Sequence, residues 1–144
     1  MVQIPLEVYE YAGSLRIMAH FFLKIEEPIK IFLPIRAIVD TGSPKNLIGS
    51  ADLGRMRISK IQLQKLQGRN NPVNIGGGKI TTRKIENAKI TFGNDFTAEI
   101  PVDFPIEGGE VFQPSLLGVD FMLKTGAKLF FDPTNKKAYF EIEN

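Results

Sequence analysis

One carboxylate stands apart by its setting. Asp40 ends the apolar run Ala37-Ile38-Val39 and is followed by Thr41-Gly42-Ser43. A β-branched run that stops at Asp-Thr-Gly reads as a strand delivering a side chain into a tight turn, because glycine accepts backbone angles that other residues resist. A carboxylate held in this way can give or take a proton. Asp-Thr-Gly alone is equally a plain Asx-turn closing a strand; the Ile-Val in front and the Ser behind favour chemistry. Ser43 can donate its hydroxyl to the outer oxygen of Asp40 or close its own turn. Other chemistries are thin. The chain has no cysteine and one histidine, His20, which excludes disulfides, thiol nucleophiles and a Cys/His zinc site. His20 lies in the strand-like run Met18-Ala19-His20-Phe21-Phe22 and is expected to be half-buried there rather than to act as a base.

The elements around Asp40 read mostly as strands. Residues 15–25 and 29–39 are apolar, β-branched and aromatic runs separated by Glu26-Glu27-Pro28, hence strand, turn, strand. Pro34 within the second run calls for an edge or a bulge. Residues 2–9 alternate as an outer strand would. Beyond the turn, Leu47-Ile48 reads as a short buried strand and Ser50 as the cap of a helical turn. Residues 54–72 mix periods of two and of three to four, through Met56, Ile58, Ile61, Leu63 and Leu66, and specify neither helix nor strand. Ile75-Gly76-Gly77-Gly78 sits between β-formers as a hairpin tip. Gly78-Lys79 is not a phosphate loop, since Val73 stands where the first glycine is required and Ile80 where Ser or Thr is. Residues 88–92 and 96–104 flank the turn Gly93-Asn94-Asp95, and 105–113 form a surface loop. Pro114-Ser115 is expected to start a helix that Lys124-Thr125-Gly126 ends. A final hairpin surrounds Asp132-Pro133-Thr134-Asn135.

Composition is that of a folded protein. A chain of 144 residues, 43% hydrophobic and 24% charged, suits a single domain over residues 1–144. No apolar run approaches the roughly eighteen residues of a membrane span, and the start lacks a signal peptide's basic and apolar regions, so a cytoplasmic protein without a membrane partner is expected. The net charge of +2 conceals eight Lys or Arg residues and no acidic one between Arg55 and Lys84. Without interleaved aromatics or a nucleic-acid motif, this stretch reads as a solvated face, and no nucleic-acid partner is expected.

Three segments occur here in the order found in retroviral-type (retropepsin-like) aspartic proteases, which the chain resembles over roughly residues 15–142. They are Ile38-Val39-Asp40-Thr41-Gly42-Ser43, the glycine-rich Ile75-Gly76-Gly77-Gly78, and Leu116-Leu117-Gly118-Val119-Asp120-Phe121. The resemblance implies an all-β, closed acid-protease barrel with one short helix in its C-terminal half, working as a two-fold homodimer on polypeptide without metal or cofactor. It implies Asp40, Thr41 and Gly42 as catalytic residues. Thr41 would tie the two active loops together, and Gly42 would orient the carboxylate through its amide. Ser43, Ile75, Gly76, Gly77 and Gly78 would meet substrate, the last four in a flap. In the third segment the glycine would let the helix approach the active strand, with Asp120 structural. The chain is longer than a viral enzyme before the first hairpin, between residues 49 and 73 and in the last hairpin. Its ending is similar to the protease-like domains of the DNA-damage-inducible family, which leaves open whether the termini interleave in a dimer.

Counting carboxylates supports a dimer. Peptide hydrolysis without metal or covalent nucleophile takes one carboxylate to accept a proton from water and a protonated one to donate to the carbonyl oxygen. The chain holds a single Asp-Thr-Gly, so the second aspartate must come from another copy through an isologous interface. Two rivals stand beside this reading. One is a protease-like module that dimerises and binds peptide strands without cutting; the other is a basic nucleic-acid adaptor.

Overall fold

The computed structural model describes residues 1–143 apart from 28–29, 67, 76–77 and 108–112. Among these residues nine strands form one hydrogen-bonded sheet, joined by three short helices. The N-terminal outer strand is β1 (Val2–Tyr11). It turns through Ala12-Gly13 into β2 (Ser14–Ile25), which pairs along its length with β3 (Ile31–Val39). Period two is plain in β2: Ala19, Phe21, Leu23 and Ile25 are buried, while His20, Phe22 and Lys24 are exposed. His20 is therefore not half-buried as expected. It projects to the outer face and meets Glu7 at 3.2 Å. Pro34 lies where β3 pairs only with β2, the edge position that a residue without an N–H requires.

After β3 come α1 (Ser50–Met56), α2 (Lys60–Gln64) and β4 (Asn70–Ile75). The helical turn expected at Ser50 is α1, and α2 is added to it. Ser50 is not the cap of α1. That position is Gly49, without a side-chain bond, and the Ser50 hydroxyl accepts from the Gln113 amide instead. Residues 54–72, which specified neither helix nor strand, hold both. In α2 the Ser59 hydroxyl accepts from the Gln62 amide while the Gln62 side chain accepts from the Ser59 amide, a reciprocal capping box.

The long hairpin β5 (Gly78–Phe92) and β6 (Phe96–Glu107) turns at Gly93-Asn94-Asp95, as the sequence indicates. In β5 the buried set runs Ile80, Thr82, then Ile85, then Ala88, Ile90, Phe92. The step of three from Ile85 to Ala88 falls at a register irregularity opposite β6, and a second irregularity lies at Thr81/Thr82. Bulges there bend one strand from the hairpin with β4 into the barrel wall.

The expected helix from Pro114 is corrected. Ser115–Leu117 is a strand, β7, parallel to Ala37–Val39 of β3, and helix α3 occupies only Val119–Thr125, with Gly118 as its N-cap. Pairing with an open strand edge outweighs the local helix-start signal. The chain ends in the hairpin β8 (Lys128–Asp132) and β9 (Lys137–Ile142), and β9 lies between β1 and β8.

Closure of the barrel runs through Leu47, which bridges β6 at Asp103 on one side and β7 at Leu116 on the other. The hydrogen-bonded circuit is then β2, β3, β7, Leu47, β6, β5 and back to β2. Leu47-Ile48 is buried as expected, as a bridge rather than a full strand. Inside, Phe21, Phe92, Phe121 and Phe140 touch in succession at centroid separations of 5.5, 5.8 and 5.1 Å. This row fastens α3 to both the barrel and the terminal hairpin. Each such ring contributes roughly 1.5–3 kcal/mol by burial.

Candidate active site

Asp40 stands one residue past β3. Its amide donates to the Leu117 carbonyl at 3.0 Å, and its own carbonyl accepts from the Ser43 amide at 3.1 Å, so β7 and the turn hold the backbone from two sides. The Gly42 amide donates to Asp40 Oδ1 at 2.9 Å. A Cβ on Gly42 would lie 3.2 Å from the same oxygen, so a side chain would crowd the carboxylate that the amide positions. The amide contact the resemblance implies for Gly42 is therefore present. Thr41 is exposed at the tip of the turn.

Ser43 departs from one expectation. Its hydroxyl donates to the Lys45 carbonyl at 2.8 Å. A serine has one proton to give, so it closes its own turn rather than bonding Asp40.

Several positioning residues were not singled out from the sequence. Asn46 is buried, and its side chain locks the active loop: Nδ2 donates to the Pro101 carbonyl at 3.0 Å and to Asp120 Oδ2 at 3.4 Å, while Oδ1 accepts from the Gly118 amide at 2.9 Å. Asp120 is thereby structural. Ser115 Oγ accepts from the Gly49 amide at 2.9 Å and donates to the buried Asp52, which also holds Arg55. A polar residue just after Asp-Thr-Gly and a serine preceding Leu-Leu-Gly are weak signals alone. They gain meaning only once topology brings residues 46 and 118 together.

The glycine of Leu116-Leu117-Gly118 permits a close approach. A Cβ there would fall 2.3 Å from the Lys45 carbonyl oxygen and 2.5 Å from that of Ser43. The segment thus packs against the active loop itself, and the Val119 amide donates to the Ser43 carbonyl at 2.8 Å.

Asp40, Gly42 and Lys45 line a cavity of about 450 Å³ whose opposite side is Pro72, Val73 and Asn74 of β4. A volume of this order accommodates ligand side chains. The hairpin β4–β5 runs to the pair Ile75 and Gly78, which places Ile75 and Gly78 at its end; Gly76 and Gly77 lie outside the described residues. Asp103 of β6 also lines this cavity. Burial pushes its carboxyl above the ordinary range, against the opposing pull of Lys45 and Lys84. A larger hollow of about 620 Å³, lined by Glu27, Arg69, Lys84 and Glu86, shares no residue with the Asp40 cavity.

The basic stretch is partly committed to internal bonds. Arg83 donates to the Gln64 and Leu66 carbonyls and to Asn70, and Arg55 to the Pro34 carbonyl. No helix among the described residues is long and apolar enough to cross a membrane.

A closed barrel carrying Asp-Thr-Gly at the end of a strand, opposite a hairpin, is the fold of the retropepsin-like aspartic proteases. Solved structures bear this out. A retropepsin-like aspartic protease from Rickettsia conorii superposes with a TM-score of 0.59 at 17% identity, over 96% of this chain and 89% of its own. The EIAV protease complexed with the inhibitor HBY-793 does so with a TM-score of 0.51 at 17% identity, over 85% of this chain and 100% of its own. No protein-family model and no curated protein sequence matches the chain. The likeness is one of fold.

Proposed function

We propose that the chain, as one unit over residues 1–144, is an aspartic endopeptidase that assembles as a two-fold homodimer and cuts an extended polypeptide. The observation that carries this reading is the Asp40 carboxylate, oriented by the Gly42 amide at 2.9 Å and facing a cavity bounded by the β4 side of a hairpin. In the dimer each copy supplies one Asp40. Two carboxyls in contact do not both ionise, and the aspartic-protease pair is the standard example, so the two hold one proton between them. The ionised member takes a proton from water, and the other donates to the scissile carbonyl. Thr41, exposed and without a hydrogen bond to any described residue, is free to bond across the axis. Substrate lies between the active loops and the hairpins, meeting Ser43 and residues Ile75 to Gly78. The fold likeness to retropepsin-like proteases supports the same reading.

The test is incubation with an unfolded protein between pH 4 and 7, with and without a statine-type inhibitor. Wild type should generate fragments and the inhibitor should suppress them. Asp40→Asn should fold normally and lose at least about a thousandfold in kcat/KM, as removal of an essential acid–base group does. Peptide binding that persists in wild type without any cleavage would instead support a non-cutting module.

A further inference from the structure

Within the Asp40 cavity the chain carries a second charged pair that the proposed chemistry does not use. Asp103 is 2% exposed, and both its carboxylate oxygens are shut off from solvent with no hydrogen-bond partner among the described residues. Lys45 Nζ lies 3.5 Å from Oδ2, an ion pair too long to be a good hydrogen bond. Ordinary surface pairs of this chain are tighter, with Lys136 and Glu10 at 2.9 Å and Lys24 and Glu26 at 3.0 Å. A buried carboxyl normally gathers donors. Here it has a loosely seated ammonium, and Lys45 is among the residues that line the cavity.

We propose that Lys45, seated on buried Asp103, is a specificity-determining residue that selects polypeptide segments carrying an acidic side chain close to the bond that is cut. This rests on the protease reading above. The Lys45 backbone is held rigidly: its carbonyl accepts from Ser43 Oγ, and the next residue, Asn46, is locked by three side-chain bonds. The side chain is 36% exposed, so its ammonium, and not the enclosed Asp103 carboxylate, is what an incoming segment meets. An ammonium has three donors, and a single distant carboxylate leaves them available to an acceptor. The sign follows from the surroundings. Asp40, which lines the same cavity, is engaged by the Gly42 amide, Asp120 by Asn46, and burial disfavours the charge on Asp103, so no carboxylate here fully offsets the Lys45 ammonium. Asp103 keeps the ammonium over the cavity rather than in bulk water, and a glutamate or aspartate of the substrate completes the pair.

The experiment is cleavage-site profiling on a peptide library prepared from a digested proteome, with wild type, Lys45→Met and Lys45→Arg. Wild type should enrich Asp or Glu at one position near the cut. For matched peptides differing by Glu or Gln at that position, the wild-type preference for Glu in kcat/KM should be about tenfold, the scale of one charge-assisted bond. Lys45→Met should abolish the preference and Lys45→Arg should retain it. A wild type that cuts without acidic enrichment, or a Lys45→Met enzyme that keeps it, overturns the assignment and leaves the protease reading standing. If nothing is cut, the same library is panned on the wild-type chain. Acidic enrichment among bound peptides that Lys45→Met removes sustains the Lys45 assignment while the protease reading falls, and its absence overturns the assignment as well.

Discussion

A carboxyl shut off from solvent with the Lys45 ammonium 3.5 Å away, Asp103 shows how one residue couples the site to the stability of the fold. The groups around it are Lys45 from the active loop, Lys84 from β5 and Asp120 from α3. Burial dominates, so the folded state holds this proton above the ordinary 3.8. Between that value and the raised one, the unfolded chain has released a proton that the native chain keeps, and raising the pH then favours unfolding. Wild type should therefore lose stability relative to Asp103→Asn as pH rises from about 3.8 through the raised value, with the two curves parallel below it. Thermal melts across pH read this directly. A relative stability that climbs with pH would mean that Lys45 and Lys84 outweigh burial.

At the scale of elements, the site depends on how closely α3 and β7 approach the active loop. Gly118 has φ −95° and ψ −171°, an extended conformation open to any residue, so its requirement is for space alone. A methyl there would meet two backbone carbonyls, and backbone cannot swing aside as a side chain can. Gly118→Ala should cost about 3 kcal/mol, a fall of roughly 10 °C in Tm, because overpacking against fixed groups displaces the turn that holds Asp40. Gly54→Ala in α1 is the control. Nothing lies within 4 Å of a Cβ at that position, and alanine is the better helix former, so stability should hold or rise. Equal melting of Gly118→Ala and wild type would show that the active loop shifts freely, against the packing described.

The whole molecule constrains how two copies can meet. Strand β9 is paired on both sides within its own chain, by β1 and by β8, so a dimer that exchanged terminal strands through β9 would have to open one of these ladders. The proposed dimer is accordingly built on the active loops. Its site is shared, so activity per chain should fall on dilution near the dimer dissociation constant, by mass action. Mixing wild type with an equal amount of Asp40→Asn chains should lower activity per wild-type chain to about half, since only dimers of two wild-type copies carry both acids. Sedimentation alongside turnover measures the first; a titration of mutant chains measures the second. Full activity in a sedimenting monomer, or activity indifferent to added mutant, would refute the shared pair.

What the sequence determined by itself was local. Apolar, β-branched and aromatic runs bounded by turn residues placed β2, β3, β5, β6 and the terminal hairpin, and alternation placed β1, because burial of one sheet face leaves a period of two in the residues. Asp-Thr-Gly marked the strand end and the carboxylate, since only a few residue types make that turn. Tertiary structure decided what depends on partners distant in the chain. Ser115–Leu117 became a strand because β3 offered an edge beside it, despite a local helix start. Residues 54–72 resolved into helix and strand through the Ser59 and Gln62 cap and the pairing of β4 with β5. The Ser43 hydroxyl turned to Lys45 once the loop was folded. Asn46, Asp103 and Gly118 acquired their parts only when residues 43–48, 101–103 and 115–119 came together, since hydrogen bonds and close packing across such separations leave no periodic trace in the sequence.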